Sequence, residues 1–152
     1  EQRGVTAERL IFGENLDRAN YLARYRVADL FLDTHPYNAG TTASDALKMG
    51  LPMLTMKGKS YQARMGASIV NAVNLPELIT HSQEEYESLA IELASNPDKL
   101  KAIKEKLASN LATAPLYDTK LFAKNIESAY TQMYERHHQG LEPDHIYISI
   151  PK

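Results

Sequence analysis

Short apolar runs alternate with longer amphipathic segments along the first half of the chain. The apolar runs are of strand length and lack polar alternation, as in the covered strands of a parallel sheet. They are RLIF (9–12), DLFLD (29–33), LPMLTM (51–56) and ELI (77–79). Helix-length segments separate them, and this order requires crossover connections. We therefore expect an α/β fold in which all four runs are strands of one parallel sheet flanked by helices.

The second half of the chain has a helical pattern only. Ser82 and Glu85 have the spacing of a capping box, and Pro97 stands at a favoured helix start. The segment 118–140 aligns apolar residues on one helical face: Leu121, Ile126, Tyr130, Met133 and Tyr134. We expect this last helix to pack back across the domain, with its tyrosines in the core. The tail, residues 141–152, has no clear period.

Length and composition exclude several classes of protein. The chain has 152 residues, of which 43% are hydrophobic and 24% charged, as in a soluble globular domain. Its 17 basic and 19 acidic residues leave a formal charge of −2, which does not favour nucleic acid or an acidic membrane. There is no cysteine, so disulfides and thiolate metal sites are excluded. We expect a cytoplasmic protein that does not enter membranes.

The amino end of the chain is unusual for a complete protein. The sequence begins at Glu1 without methionine, and the first apolar run follows after a few polar residues. Four strands also make a small sheet. We expect the chain to be part of a longer protein whose earlier strands precede it. Because a bare sheet edge is a template for pairing, we also expect the isolated chain to self-associate.

Candidate chemistry lies in the stretch DLFLDTHPYNAGTTASDALK. The strand 29–33 is followed by a loop that ends near Gly40, and a helix begins at Thr41 or Thr42. In open parallel sheets, the carboxyl ends of strands and the following helix starts form the ligand crevice. Free N–H groups and the helix dipole attract anions there, and glycine lets the backbone approach closely. With two threonine hydroxyls added, the stretch predicts a phosphate or diphosphate site.

A structural interpretation of the same residues is also open. Thr42 and Asp45 have the spacing of a helix N-cap and its capping-box partner, and Gly40 could serve only the turn. A carboxylate repels a neighbouring phosphate. A ligand role for Asp45 would therefore be to accept hydrogen bonds from sugar hydroxyls, as acidic residues do with ribose.

The segment 29–79, together with YTQMYERHHQGLEPDHIYI near the carboxyl end, resembles the O-linked N-acetylglucosamine transferase family, including its bacterial relatives with tetratricopeptide repeats. The resemblance extends over roughly residues 9–148. It implies a glycosyltransferase of the GT-B fold whose second, Rossmann-like domain binds a UDP-sugar and which inverts the anomeric carbon without a metal. By this resemblance, residues 1–140 are the carboxyl-terminal part of that domain, truncated at its amino end, and 141–152 are a tail.

The resemblance also implies roles for individual residues. Thr41 and Thr42 match the threonines that hold the donor diphosphate, and Asp45 matches the carboxylate on the ribose. Arg18 stands where the family often has a lysine beside the nucleoside, and Tyr21 where a histidine packs on the uracil. An aromatic ring can still stack on a base.

Two further positions complete the candidate donor site. Gly40 stands where some family members have histidine, so one possible phosphate donor is absent. Arg24 stands where the family tends to have arginine. Ion pairs between Arg24 or Arg26 and the nearby Asp29 or Asp33 are the structural alternative.

Other charged residues are weaker candidates. Lys57, Lys59 and Arg64 follow the strand 51–56, at the crevice edge we expect the threonine pair to occupy. They could neutralise a diphosphate, although solvated charge is the default for the lysines. His137 and His138 have no partners at metal-ligand spacing. The resemblance implies no metal and no cofactor other than the UDP-sugar substrate. No triad or carboxylate pair appears, and we expect no catalytic residue in this chain.

The sequence thus predicts part of an enzyme that passes N-acetylglucosamine from UDP-GlcNAc to Ser or Thr hydroxyls of proteins. The protein acceptor would bind the amino-terminal half, which this chain lacks, so the chain alone should be inactive. One alternative is a GT-B transferase with another nucleotide-sugar donor. The other is a non-catalytic nucleotide-binding or scaffolding module, which the departures at Tyr21 and Gly40 would suit.

Overall fold

A computed structural model describes residues 4–148 of the chain. Three strands form one parallel sheet in the order β1, β2, β3. They are β1 (Phe31–Leu32), β2 (Met53–Met56) and β3 (Ile79–Thr80). Phe31 is in register with Met53, and Thr55 with Ile79. The α-helices are α1 (Arg18–Arg24), α2 (Thr41–Lys48), α3 (Gln62–Ala72), α4 (Gln83–Ser95), α5 (Pro97–Leu111) and α6 (Thr119–His138). Short 3-10 turns span Ala7–Arg9, Tyr25–Val27, Pro76–Leu78 and Pro115–Tyr117.

The core lies between the sheet and the helices. Helix α2 connects β1 to β2, and α3 connects β2 to β3. The core cluster draws on the strands and on helices α2 to α5, and it includes Leu47, Met53, Val70, Val73, Leu78, Leu93 and Leu107. Burial of each such side chain contributes on the order of 1.5–3 kcal/mol. The predicted α/β class with parallel strands is confirmed, and three of the four apolar runs contain a strand. In the run 77–79 only Ile79 lies in β3, because Pro76–Leu78 form a 3-10 turn.

The prediction of a strand at residues 9–12 is wrong. A 3-10 turn ends at Arg9, and the following residues form no strand in the described chain. Leu10 is 58% exposed, Ile11 92% and Phe12 89%. A strand needs a hydrogen-bonded neighbour, and residues 9–12 pair with none of the three strands. This apolar run is therefore left in water.

The prediction that the last helix packs across the domain with its tyrosines in the core is also wrong. No residue of α6 is buried, and Tyr130 and Tyr134 are 61% and 65% exposed. The helix instead packs at its start on the turn Pro115–Tyr117. The apolar stripe of α6 stays largely exposed, so periodicity indicated the face correctly and its burial wrongly.

The tail folds back on the end of α6. The Arg136 side chain donates a hydrogen bond to the Glu142 carbonyl and lies 3.6 Å from the Asp144 carboxylate. Residues 149–152 of the predicted tail and residues 1–3 of the predicted domain lie outside the described range. Among the helices of residues 4–148, none has the length and apolar character needed to cross a bilayer.

Most helix starts have a side-chain cap. Asp17, Asn96 and Asp118 accept hydrogen bonds from first-turn amides of α1, α5 and α6. Ser82 caps α4 as predicted, by accepting from the Glu85 amide. The reciprocal half of the capping box is displaced by one residue, since the Glu85 carboxylate accepts from the His81 amide, not from that of Ser82.

Candidate functional site

The loop between β1 and α2 is organised by Asp33, which directly follows β1. Its side chain is buried, and the three hydrogen bonds that it accepts come from the Thr34 amide at 2.9 Å, the Ala39 amide at 2.8 Å and the Thr55 hydroxyl at 2.7 Å. A buried carboxylate is tolerated when its oxygens are paired in this way. The bonds to both ends of the loop fix its path from the strand to the helix.

Asn38 is the second organiser of this loop. It is 2% exposed, donates to the Thr34 carbonyl at 2.8 Å and accepts from the Gly66 amide at 3.3 Å. From the sequence, no role is predicted for Asn38, and Asp33 is predicted only as an ion-pair partner. A signal was available for both, because Asp33 ends the apolar run 29–33 and Asn38 lies in the loop that follows it into the predicted crevice.

Helix α2 begins with its first-turn amides unprotected by any side-chain cap. Gly40 is the N-cap, with φ −106° and ψ −89°, and Thr41 and Thr42 are the exposed first helical residues. Thr42 is therefore not the N-cap, and Asp45 lies one turn further along, so the capping-box alternative is wrong. Thr42 and Gly40 line a cleft of about 380 Å³ that also contacts Tyr37 and β1. The helix start is open to an anion.

Asp45 pairs with Arg18, 27 residues earlier in the chain. The two guanidinium nitrogens Nη1 and Nη2 each donate to one carboxylate oxygen at 2.8 Å. The Asp45 side chain is 11% exposed and that of Arg18 63%. The hydrogen bond to Asp45 is the main cause that raises the pKa of Arg18; desolvation opposes this shift, and the Asp45 charge adds to it. This bidentate pair ties α1 to the second turn of α2, so two predicted site residues are brought together.

The other α1 candidates surround the Tyr21 ring. The guanidinium carbon of Arg18 lies 5.6 Å from the ring centroid and that of Arg24 lies 5.8 Å from it, both within cation–π range. Arg24 also donates to the Glu14 carbonyl at 3.0 Å. The predicted ion pairs of Arg24 and Arg26 with Asp29 or Asp33 are not formed in the described chain. Asp29 pairs instead with Lys104 at 2.7 Å.

The basic residues after β2 lie in a different cleft from the threonine pair. Lys57 and Lys59 line a space of about 550 Å³ together with His35 and His81. Arg64 is exposed on α3 and lines neither cleft. The cleft of Lys57 includes the end of β2 and that of Thr42 the end of β1, so both lie at the carboxyl edge of the parallel sheet, but no basic residue of the described chain lines the cleft of Thr42.

Across residues 4–148, no group of three or more His, Asp or Glu side chains is arranged to hold a metal ion. His137 and His138 end helix α6, and His145 is in the tail.

Comparison with known proteins gives a consistent result. The model of the family described as glycosyl transferase family 41 matches residues 1–126. The chain is 35% identical over 147 residues to the probable UDP-N-acetylglucosamine–peptide N-acetylglucosaminyltransferase SEC of Arabidopsis thaliana, covering 96% of this chain and 15% of that protein. It is 32% identical over 145 residues to the UDP-N-acetylglucosamine–peptide N-acetylglucosaminyltransferase of Caenorhabditis elegans, covering 95% of this chain and 13% of that protein.

A solved structure is similar over the same region. A mutant of the O-GlcNAc transferase of Thermobaculum terrenum aligns with a TM-score of 0.86 and 34% sequence identity. The alignment covers 91% of this chain and 27% of that one. The chain thus spans about a seventh of the length of the two curated relatives.

Proposed function

Because the chain belongs to glycosyl transferase family 41, we propose that it forms part of the UDP-sugar site of a GT-B enzyme that transfers N-acetylglucosamine from UDP-GlcNAc to protein Ser and Thr hydroxyls. The observation that carries this proposal is the Arg18–Asp45 ion pair beside the uncapped start of α2. It joins α1, which carries residues expected at the nucleoside, to α2, whose start is expected at the diphosphate. The small parallel sheet matches the corresponding part of a related transferase.

In this proposal the diphosphate binds at the start of α2. The first-turn amides have no side-chain partner, and the hydroxyls of Thr41 and Thr42 are exposed beside them. Such a start supplies several N–H donors and the positive end of the helix dipole. The Gly40 N-cap presents no side chain, so phosphate oxygens can approach the backbone.

Asp45 accepts hydrogen bonds from the ribose hydroxyls. Arg18 offsets the repulsion between this carboxylate and the nearby diphosphate. The bidentate pair neutralises the charge of Asp45 before any ligand arrives. A carboxylate has about four acceptor sites, so two hydrogen bonds from Arg18 leave capacity for hydroxyl protons. Tyr21 offers its ring to the base.

The reaction that we propose is inverting and needs no metal. A Ser or Thr oxygen forms a bond to the anomeric carbon as the bond from that carbon to the β-phosphate oxygen breaks, and UDP leaves. The start of α2 and its threonines stabilise the charge that develops on the departing diphosphate. The acceptor hydroxyl also loses a proton, and we assign its removal to no residue of this chain. The acceptor polypeptide binds outside it.

UDP binding to the whole protein that carries this chain tests the proposal. Calorimetry should show UDP binding by the wild type and at least about tenfold weaker binding by Thr42→Ala, the loss expected for one hydrogen bond to a charged phosphate. Lys57→Gln is the matched control, since Lys57 lies in the other cleft. Its UDP affinity should stay within about twofold of wild type, a difference below that of one hydrogen bond.

Three other outcomes would contradict the proposal. Equal UDP affinity of wild type and Thr42→Ala would show that the diphosphate does not bind at the start of α2. Loss of affinity in Lys57→Gln alone would move it to the basic cleft. A wild-type protein that binds GDP but not UDP would be a transferase with another donor.

A further inference from the structure

Tyr25 directly contacts Tyr21, the proposed base-binding residue. The hydroxyl oxygens of Tyr21 and Tyr25 are 2.5 Å apart, and either can be the donor. The two rings pack edge to face, with centroids 5.3 Å apart and an interplanar angle of 79°. The residues are four apart on one side of α1, where side chains of a helix meet. Tyr25 is at the end of α1, where the chain tightens into a 3-10 turn.

We propose that Tyr25 is a positioning residue for the nucleotide: its hydroxyl fixes the orientation of the Tyr21 ring and thereby sets the affinity for the base. This inference rests on the proposed function, since it concerns how the same donor site holds its nucleoside. It assigns Tyr25 no contact with the reacting atoms.

Tyr21 needs such support because its surroundings leave the ring partly free. Tyr21 is half-buried, and most other residues of the seven-residue helix α1 are exposed. Arg18 and Arg24 lie within cation–π distance of the ring, but long exposed cations hold a partner weakly. The edge-to-face contact with Tyr25 adds a favourable aromatic interaction. The hydroxyl bond holds the tip of the ring.

Tyr25 is suited to this role because it stays protonated. Burial is the main cause that raises the pKa of the Tyr25 hydroxyl, and its hydrogen bond with Tyr21 and the nearby Asp45 charge add to the effect. A neutral hydroxyl can donate to the Tyr21 oxygen. This bond holds the Tyr21 ring in one orientation, with its face available to the base.

The structure around Arg24 supports a preformed platform. A Cβ atom on Gly13 would overlap Nη1 of Arg24, so the glycine leaves the space that the guanidinium occupies. Arg24 is held there by the Glu14 carbonyl and Arg18 by Asp45. Tyr25 completes the set of contacts that surround Tyr21.

The test compares a ligand with a base and one without, in the whole protein. Calorimetry with UDP and with inorganic pyrophosphate should be run on wild type, Tyr25→Phe, Tyr21→Phe and the double variant. Tyr25→Phe keeps the ring and removes only the hydroxyl. UDP affinity should fall by about three- to tenfold, the range of one neutral hydrogen bond, while pyrophosphate affinity is unchanged.

The double-variant cycle shows whether Tyr25 acts through Tyr21. If it does, the double variant should bind UDP no more weakly than the weaker single variant, because the shared bond is lost only once. Tyr147→Phe, an exposed tail residue, is the control and should match wild type for both ligands. Melting temperatures of all variants are measured without ligand.

The remaining outcomes separate the two proposals. If the wild type binds UDP and Tyr25→Phe binds it equally well, the inference about Tyr25 fails and the proposed function stands. An equal loss for UDP and pyrophosphate, or additive losses in the double variant, also overturns it. If the wild type binds pyrophosphate but no UDP, the proposed donor site itself fails.

Discussion

Gly66 on α3 lies directly against the carboxylate of Asp33 at the end of β1. A Cβ atom built on Gly66 would overlap both Oδ2 of Asp33 and the hydroxyl of Thr55. These two atoms are hydrogen-bonded to each other at 2.7 Å. The absence of a side chain at residue 66 therefore lets α3 approach the network that shapes the β1–α2 loop.

Gly66→Ala should destabilise the protein despite the better helix propensity of alanine. The added methyl must displace a buried, hydrogen-bonded pair, and overpacking of this kind costs about 1–3 kcal/mol. Urea unfolding followed by circular dichroism measures the change. Asn71→Ala, on an exposed position of the same helix, is the control and should be neutral or slightly stabilising. Equal stability of Gly66→Ala and wild type would show that Asp33 and Thr55 can move to accommodate the methyl group without loss of stability.

Asp45→Asn should weaken UDP binding by about tenfold or more with little loss of stability. The amide presents a donor where ribose hydroxyls need an acceptor, and it lacks the charge that Arg18 compensates. The ligand-free free energy of unfolding should fall by no more than about 1 kcal/mol, because Arg18 is largely exposed. Calorimetry and thermal unfolding of the whole protein measure both quantities.

Asp29→Asn is the matched control for that experiment, since Asp29 also pairs with a cation but lies away from α2. It should leave UDP affinity at the wild-type value. If Asp45→Asn is strongly destabilised but binds UDP normally, Asp45 has only a structural role.

The isolated chain should self-associate. The apolar side chains of Leu10, Ile11 and Phe12 are exposed in one extended run, and β1 is an edge strand of the sheet. Exposed apolar segments and open edges both promote pairing between copies. Sedimentation velocity should show an average mass that rises with concentration, and the double variant Ile11→Lys with Phe12→Lys should reduce this rise. A monomer at all concentrations would contradict the prediction.

Alkaline pH should destabilise the chain through its half-buried tyrosines. Burial raises the pKa of Tyr86 and of Tyr117, whose hydroxyls donate to the carbonyls of Asp33 and Ser44. The folded state therefore keeps protons that the unfolded chain releases. Stability is full below the unfolded pKa of about 10 and is lost as pH rises through the folded pKa.

Urea unfolding at about pH 8 and about pH 10.5, on either side of the unfolded tyrosine pKa, measures this loss. Tyr117→Phe removes one of the linked groups and should show a smaller difference between the two pH values. Tyr147→Phe, on an exposed residue, should behave as wild type. An identical pH dependence for all three proteins would exclude Tyr117 as a linked group.

The sequence by itself determined the local features of this protein. Apolar runs of strand length indicated β1, β2 and β3, because a strand covered on both faces must be apolar throughout. Gly40 and the threonine pair indicated the loop and the helix start that follow β1, because their preferences act within a few residues. The family resemblance directed attention to Arg18, Tyr21 and Asp45, which no local rule connects.

Only the tertiary structure decided which distant residues meet. Arg18 pairs with Asp45 across 27 residues, and Thr55 with Asp33 across 22, because separate elements bring their side chains into contact. The same dependence explains the failures. The run 9–12 is apolar enough for a strand, but a strand exists only where a neighbour supplies hydrogen bonds. Helix α6 has an apolar face, but burial of a face requires a second surface. The neighbouring strand and the covering surface are not part of the segment's own sequence. The local pattern therefore predicts that a segment can pair or pack, but not that it does so.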